Sequence, residues 1–263
     1  WSTNNGADWN TANVADFTMD ADSPDGTNVW AVRQNWDGGI VYYSPDAGAT
    51  WTQQVSGGVR GLQTVTMQKR TRSYPAGTRF VWTNSPSPGA PFTNWITAAH
   101  TIQEAINAAE NGDGIVVADG LYCMATQLTI TQRLEIASVN GPGVTIVHAE
   151  SNRCLYITAP TTVAGITFTN GYVGAAPYHG AGIYANATGV VVRNCRFERN
   201  QNRMRGQGGG LWLGASGGVE NCVFEWNQAG DGGGLFVREW GSVSDCRFEG
   251  NEARTNGGGV FAN

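Results

Sequence analysis

Glu198, Glu225 and Glu249 hold the same place in three related segments: Asn-Cys-Arg-Phe-Glu-Arg-Asn (194–200), Asn-Cys-Val-Phe-Glu-Trp-Asn (221–227) and Asp-Cys-Arg-Phe-Glu-Gly-Asn (245–251). If the segments stack, their carboxylates stand about 5 Å apart and repel unless something neutralises them. Three readings are open. A Ca²⁺ ion could bridge the oxygens, Arg196 and Arg247 on the same outward face could pair with them across rungs, or the carboxylates could act in catalysis. The ion-pair ladder is the simplest, because the arginines come from the same segments. Calcium is the one cofactor the sequence suggests, and no residue is assigned a catalytic role.

The other chemistry-bearing residues also fall into columns. Cys195, Cys222 and Cys246 lie two positions before Phe197, Phe224 and Phe248, with Ile166 and Phe168 in a divergent earlier copy. Such thiols read as small apolar core residues packed with phenylalanine. Asn200, Asn227 and Asn251 read as a stack of side chains bonded to one another at a turn and tolerating left-handed backbone. Cys123 and Cys154 lie about one turn apart, which leaves a bridge between them open. The three histidines, His100, His148 and His179, are scattered without the spacing of a zinc protease or a triad. Gly206 to Gly210 lacks the Lys-Ser/Thr of a phosphate loop. Asn186-Ala-Thr188 is a sequon, which matters in a glycosylating host. Trp82, Trp95, Trp226 and Trp240 are candidates for stacking on a sugar.

These columns need elements that repeat them. The chain has 263 residues, 37 of them glycine, with 14% charged; ordinary domains carry about 25% charged residues. A net charge of −5 argues against nucleic acid as a partner. No apolar run reaches the roughly 18 residues of a membrane helix. Five cysteines without paired metal spacing preclude a complete disulfide framework within one chain. The chain begins at Trp1, which points to a removed leader or to a start inside a longer protein.

Gly-Ala-Gly-Ile-Tyr (180–184), Gly-Gly-Gly-Leu-Trp (208–212), Gly-Gly-Gly-Leu-Phe (232–236) and Gly-Gly-Gly-Val-Phe (257–261) recur at spacings of 28, 24 and 25 residues. Val163, Val192, Val219 and Val243 form another column. Short β-prone stretches at this period predict one turn per repeat of a right-handed, single-stranded parallel β-helix, with like side chains stacked about 4.8 Å apart. Thr101 and Glu104 form a capping box for a helix carrying Ile102, Ala105, Ile106 and Ala109 on one face. That helix would plug one end of the coil, and Ile115-Val-Val117 would open its first strand. The fold class is therefore all-β, with an N-terminal capping α-helix and a small antiparallel β unit before it. The expected domains are 1–78 and 79–263, the last coil incomplete.

Gly-Gly-(Ala/Gly)-(Ile/Leu/Val) with Phe-x-x-Asn resembles the repeat pair of the chlamydial polymorphic outer-membrane proteins, also present in large secreted β-helix proteins. The stretch from Trp95 to Tyr122 resembles the start of pectate-lyase-like β-helices. Within 1–78, Ser44, Asp46, Gly48, Thr50 and Trp51 match the Asp-box of sialidases and other β-propellers, a hairpin-turn motif; strand-like runs at Val29–Val32, Ile40–Tyr43, Leu62–Met67 and Arg79–Trp82 surround it. A propeller needs four or more such blades, so a small antiparallel unit is expected.

The resemblance implies an extracellular or bacterial cell-surface location. It also implies a non-catalytic structural role, as an adhesin or passenger-like arm or a filament subunit. The partners expected are further copies or further chain at the open C-terminal coil, and a glycan. A polysaccharide lyase or glycoside hydrolase on the coil face, or a carbohydrate-binding module, is the alternative. Near-interchangeable rungs favour the scaffold.

Overall fold

The computed structural model describes residues 20–22, 29–35, 38–44, 52–56, 74–174, 178–202 and 206–263. Two compact units are present, Trp1–Ser73 and Tyr74–Asn263.

In the first, Asp20–Asp22, Val29–Asn35, Gly38–Ser44 and Thr52–Ser56 form an antiparallel sheet in chain order. The runs Val29–Val32 and Ile40–Tyr43 lie in its strands, whereas Leu62–Met67 lies outside the described residues. Ser44 ends one strand and Thr52 begins its antiparallel neighbour, with Tyr43 opposite Thr52. The Asp-box residues Asp46, Gly48, Thr50 and Trp51 lie between these strands, outside the described residues.

The second unit is a parallel β-solenoid. Its first face stacks Arg79–Val81, Gly114–Val117, Leu134–Ser138, Thr161–Ala164, Val190–Arg193, Gly217–Glu220 and Ser242–Ser244. Gly120–Met124, Thr145–Ala149, Thr167–Thr169, Arg196–Glu198, Val223–Glu225 and Arg247–Glu249 make the second. The third holds Leu128–Ile130, Leu155–Ile157, Ile183–Ala185, Leu211–Leu213, Leu235–Val237 and Val260–Ala262. A short fourth face of Tyr172–Val173, Gln201–Asn202, Gln228–Asp231 and Glu252–Asn256 sits between the second and third. The coil opens one strand earlier than Ile115: Arg79–Val81 pairs in parallel with it, Arg79 beside Ile115. The strand-like run Arg79–Trp82 thus supplies the first strand of the coil, a place that its sequence, lacking a repeat motif, does not mark.

Registers align like with like. Val163, Val192, Val219 and Val243 are successive partners on the first face, and Phe168, Phe197, Phe224 and Phe248 on the second. The phenylalanine rings stack inside at centroid distances of 5.6, 4.6 and 4.9 Å. Offset stacking of this kind adds about 0.5–1.5 kcal/mol per pair beyond burial.

Helix Ile102–Ala108 starts at the Thr101–Glu104 capping box and buries Ile102, Ala105 and Ile106. Its Gln103 side chain replaces a strand: Oε1 accepts from Thr129 N at 2.8 Å, and Nε2 donates to Thr129 O at 3.3 Å. The exposed edge of the third face is thereby satisfied without a further rung.

The corners assign left-handed backbone to unexpected residues. Among non-glycine residues it falls on Asn194, Asn221 and Asp245, before each cysteine, and on Asn170, Arg199 and Trp226, before the stacked-asparagine row. Asn200, Asn227 and Asn251 are not among them, so their value is in hydrogen bonding and not in backbone tolerance. At the glycine corner Gly208 has φ +68°, and a methyl on Gly210 would meet Gly234 O at 2.6 Å and the Phe224 ring at 2.9 Å. Glycine there lets successive rungs touch.

Candidate functional site

The carboxylate column forms as a row of partners, Glu198 beside Glu225 and Glu225 beside Glu249. Each is held by arginine. Arg199 pairs with Glu198; Arg196 lies 3.7 Å from Glu198 and also binds Glu225; Arg247 lies 3.0 Å from Glu225 and binds Glu249. The ion pairs therefore zigzag between the glutamate row and Arg196 and Arg247 two residues away, and the guanidiniums offset the repulsion expected of a bare column. Glu225, between two guanidiniums, is the most buried of the three. Among the described residues no group of three or more His, Cys, Asp or Glu is arranged to hold a metal ion.

The asparagine column runs inside. Asn227 Oδ1 accepts from Asn200 N at 3.0 Å and Nδ2 at 2.9 Å, while its own Nδ2 donates to Phe197 O at 3.0 Å and Asn251 Oδ1 at 2.8 Å. Gly171 takes the corresponding place one rung earlier, donating its N–H to Asn200 Oδ1 at 2.8 Å. All five cysteines are free; Cys123 is exposed, while Cys154, Cys195 and Cys222 are buried. Hence Cys123 and Cys154 are not bridged. Cys195 N lies 3.4 Å from Cys222 Sγ. The Cys195 contact, with burial adding to it, pushes the Cys222 thiol up to about 12. Burial raises Cys154 likewise, to about 12. These thiols stay protonated and pack as apolar groups.

The tryptophans divide. Trp95 and Trp82 pack with Tyr74 and Phe80, Trp95 at 4.7 Å from Phe80, and serve a small core. Trp226 and Trp240 are exposed, at 56% and 93%.

An aromatic column absent from the sequence reading covers the outside of the third face. Tyr156, Tyr184, Trp212, Phe236 and Phe261 are successive partners. Tyr184 and Trp212 stack at 4.6 Å and 6°. Arg153 lies 5.2 Å from the Tyr184 centroid, and His179 stacks on Trp212 at 5.1 Å. Burial, with the Arg153 and Arg238 charges adding to it, holds the His179 imidazole below its ordinary value. The fifth residue of each Gly-rich segment carried the signal: always aromatic, and two residues past the glycines.

On the fourth face a cavity of about 240 Å³ is lined by Asn202, Gln228, Ala229, Glu252 and Arg254. Gln228 Nε2 donates to Glu252 at 2.9 Å. Asn202 is buried, and its Oδ1 carries no hydrogen bond. The strands beneath slip register between Ala229 and Asp231, a bulge of the kind that re-aims side chains. The cavity is smaller than the roughly 300–1,000 Å³ of drug-sized sites.

A family model described as a right-handed β-helix region matches residues 94–263. Among solved structures the chain is similar to the pectin methylesterase of Aspergillus niger in penultimately deglycosylated form, with 17% identity, TM-score 0.47, and coverage of 67% of this chain and 57% of that one. It is also similar to the pectate lyase Pel9A, with 18% identity, TM-score 0.45, and coverage of 68% and 48%. The chain thus spans about half the length of these structures. No curated protein matches it. No helix among the described residues is long and apolar enough to cross a membrane.

Proposed function

The chain belongs to the right-handed β-helix family, and from that premise we propose a non-catalytic structural protein of the cell surface or extracellular space, its coil a rigid arm. The observation that carries the reading is the Arg–Glu ladder. The one carboxylate column that invites chemistry is spent on joining rungs, Glu225 being held by both Arg196 and Arg247. The likeness of its repeats to those of the chlamydial polymorphic outer-membrane proteins supports the location. Calcium at the Glu column is the weaker reading, since arginine already occupies it.

The last rung supports an end-on partner. Val243 and Val260 are 39% and 37% exposed, whereas Val219 and Leu235 one rung earlier are fully covered. A further coil, of this chain or of a second copy, would bury them. Where a second copy and not further chain supplies that coil, helix Ile102–Ala108 at the opposite end makes the assembly a closed pair. Sedimentation velocity across a concentration series tests this: wild type should pair, and Val260→Lys should stay monomeric. Wild type that is monomeric at every concentration overturns self-association.

A second reading, glycan contact without turnover, is favoured by the fourth-face cavity, whose polar lining offers hydrogen bonds, and by exposed Trp226. Titrating neutral and acidic oligosaccharides while following tryptophan fluorescence tests it, and no change with any of them counts against it. A lyase would instead release unsaturated products from uronate polymers with Ca²⁺, read by absorbance.

A further inference from the structure

Elsewhere on the coil, an arginine and a glutamate two residues apart in one strand join each other. Arg196 lies 3.7 Å from Glu198, and Arg247 binds Glu249. Glu252 and Arg254 stand at the same spacing in strand Glu252–Asn256. Among the described residues, however, neither enters an ion pair. The reason lies in the backbone. Gln228 pairs with Glu252, Ala229 with Ala253 and Asp231 with Asn256, so Gly230 alone stands opposite Arg254 and Thr255. An extra residue in one strand bends it and re-aims its side chains. Arg254 thereby leaves the row of Glu252, and the two charges line the cavity of about 240 Å³ together.

The rest of the lining is short of donors. Gln228 Nε2 donates to Glu252 at 2.9 Å, which leaves its Oε1 as an acceptor. Asn202 Nδ2 donates to Tyr178 O at 2.6 Å. A carbonyl only accepts, so this amide cannot be turned end for end. Its Oδ1 stays a buried acceptor without a partner, a state that costs free energy until a donor reaches it. Three acceptor groups, one of them a carboxylate, thus share the lining with a single cation and with Ala229 as the apolar wall.

We infer that this cavity binds a small free α-amino acid. An ammonium carries three donors and no acceptor, which suits Asn202 Oδ1, Gln228 Oε1 and the Glu252 carboxylate. The ligand's carboxylate takes the planar fork of the Arg254 guanidinium. Glu252 and Arg254 together make the lining neutral, as a zwitterion is. A neutral sugar leaves both charges unanswered, and a simple amine or acid leaves one. The cavity falls below the roughly 300–1,000 Å³ of drug-sized sites, and its one apolar wall is a methyl, so the ligand's own side chain is no larger than that of alanine or serine. Binding involves no turnover and needs no second copy, so the site stands beside the scaffold reading. It competes with the glycan reading for the same cavity.

The test uses the full chain at neutral pH with L-alanine, ethylamine, propionate and glucose, each titrated by saturation-transfer NMR, which reads weak binding through the ligand's own signals. Ethylamine is alanine without its carboxylate, and propionate is alanine without its ammonium. A hydrogen bond to a charged group is worth about ten- to a hundredfold in affinity, so alanine should bind at least about tenfold more tightly than either. Arg254→Gln and Glu252→Gln, both at exposed positions, should each weaken alanine about tenfold with an unchanged unfolding midpoint. Arg254→Gln should also erase the preference for alanine over ethylamine. Val260→Lys lies outside the lining and should keep alanine binding while it abolishes pairing, which separates this site from the end-on contact. No binding of alanine, alanine no tighter than ethylamine or propionate, or unchanged binding in both cavity variants overturns the site. Glucose binding as tightly as alanine also overturns it and leaves the glycan reading in place.

Discussion

Replacing Asn227 by alanine removes four hydrogen bonds at one point of the coil. The side chain donates to Phe197 O and Asn251 Oδ1 and accepts from both nitrogens of Asn200. Asn227 and Asn200 are each fully buried, so water cannot replace what is lost. The backbone N–H of Asn200 is left without its acceptor, which costs about 1–3 kcal/mol, and the other lost bonds cost about 0.5–1.5 kcal/mol each. The sum expected for Asn227→Ala is about 2.5–7.5 kcal/mol. For a unit of this size that lowers the unfolding midpoint by roughly 5–30 °C. Thermal and urea unfolding followed by far-ultraviolet circular dichroism measure it, with an unchanged urea slope showing that the same surface is exposed. Asn251→Ala is the internal control. It removes bonds of the same kind at a partly exposed rung, where water can enter, and should cost less than half as much. A loss under about 1 kcal/mol for Asn227→Ala, or equal losses at the two rungs, would refute the ladder as a stabilising device.

Glu225→Gln should cost about 1–2 kcal/mol, because Arg196 and Arg247 are half exposed and keep Glu198 and Glu249; a loss that does not shrink at about 1 M salt, where charges are screened within about 3 Å, speaks against the charge ladder. His179 is held below its ordinary value, burial being the main cause, so the unfolded chain takes up its proton first as pH falls. The stability it contributes is therefore full above the ordinary histidine range and is lost as pH falls through that range toward the folded value. Unfolding midpoints measured between about pH 7.5 and 5 should fall in wild type and level off in His179→Phe, which keeps a ring against Trp212; equal slopes in the two proteins would discount this group.

The rungs from Val190 onward were legible because each side chain stacks on its own kind. A column of Phe197, Phe224 and Phe248 in the sequence is then a column in space. Arg79–Trp82 reads as a strand in the sequence, but its place as the first rung of the coil was not legible, because three residues beside irregular chain carry no period. The left-handed corners were assigned one residue too late, to the asparagines whose amides bond across rungs, when Arg199 and Trp226 bear the backbone. The aromatic column on the third face was written in the repeats, but its outward direction follows from the strand geometry of Leu211–Leu213 and its neighbours. Glu252 and Arg254 stand at the spacing that joins Arg247 to Glu249, so nothing in the sequence sets them apart. The bulge that does so follows from the register of two strands, which sequence patterns do not encode.

The Asn ladder and the sheets share one further property: partners are about one turn apart along the chain, as in Asn200 and Asn227, separated by 27 residues. The closure entropy of a loop grows only with the logarithm of its length, and here the loop is the same for every rung. Each added coil thus meets the same entropic toll as the one before it, and the search never spans the whole chain. Contact order relative to length falls as the coil extends, which favours templated, rung-by-rung growth from an ordered turn. Duplication of a whole turn is then a kinetically neutral way for such a protein to lengthen.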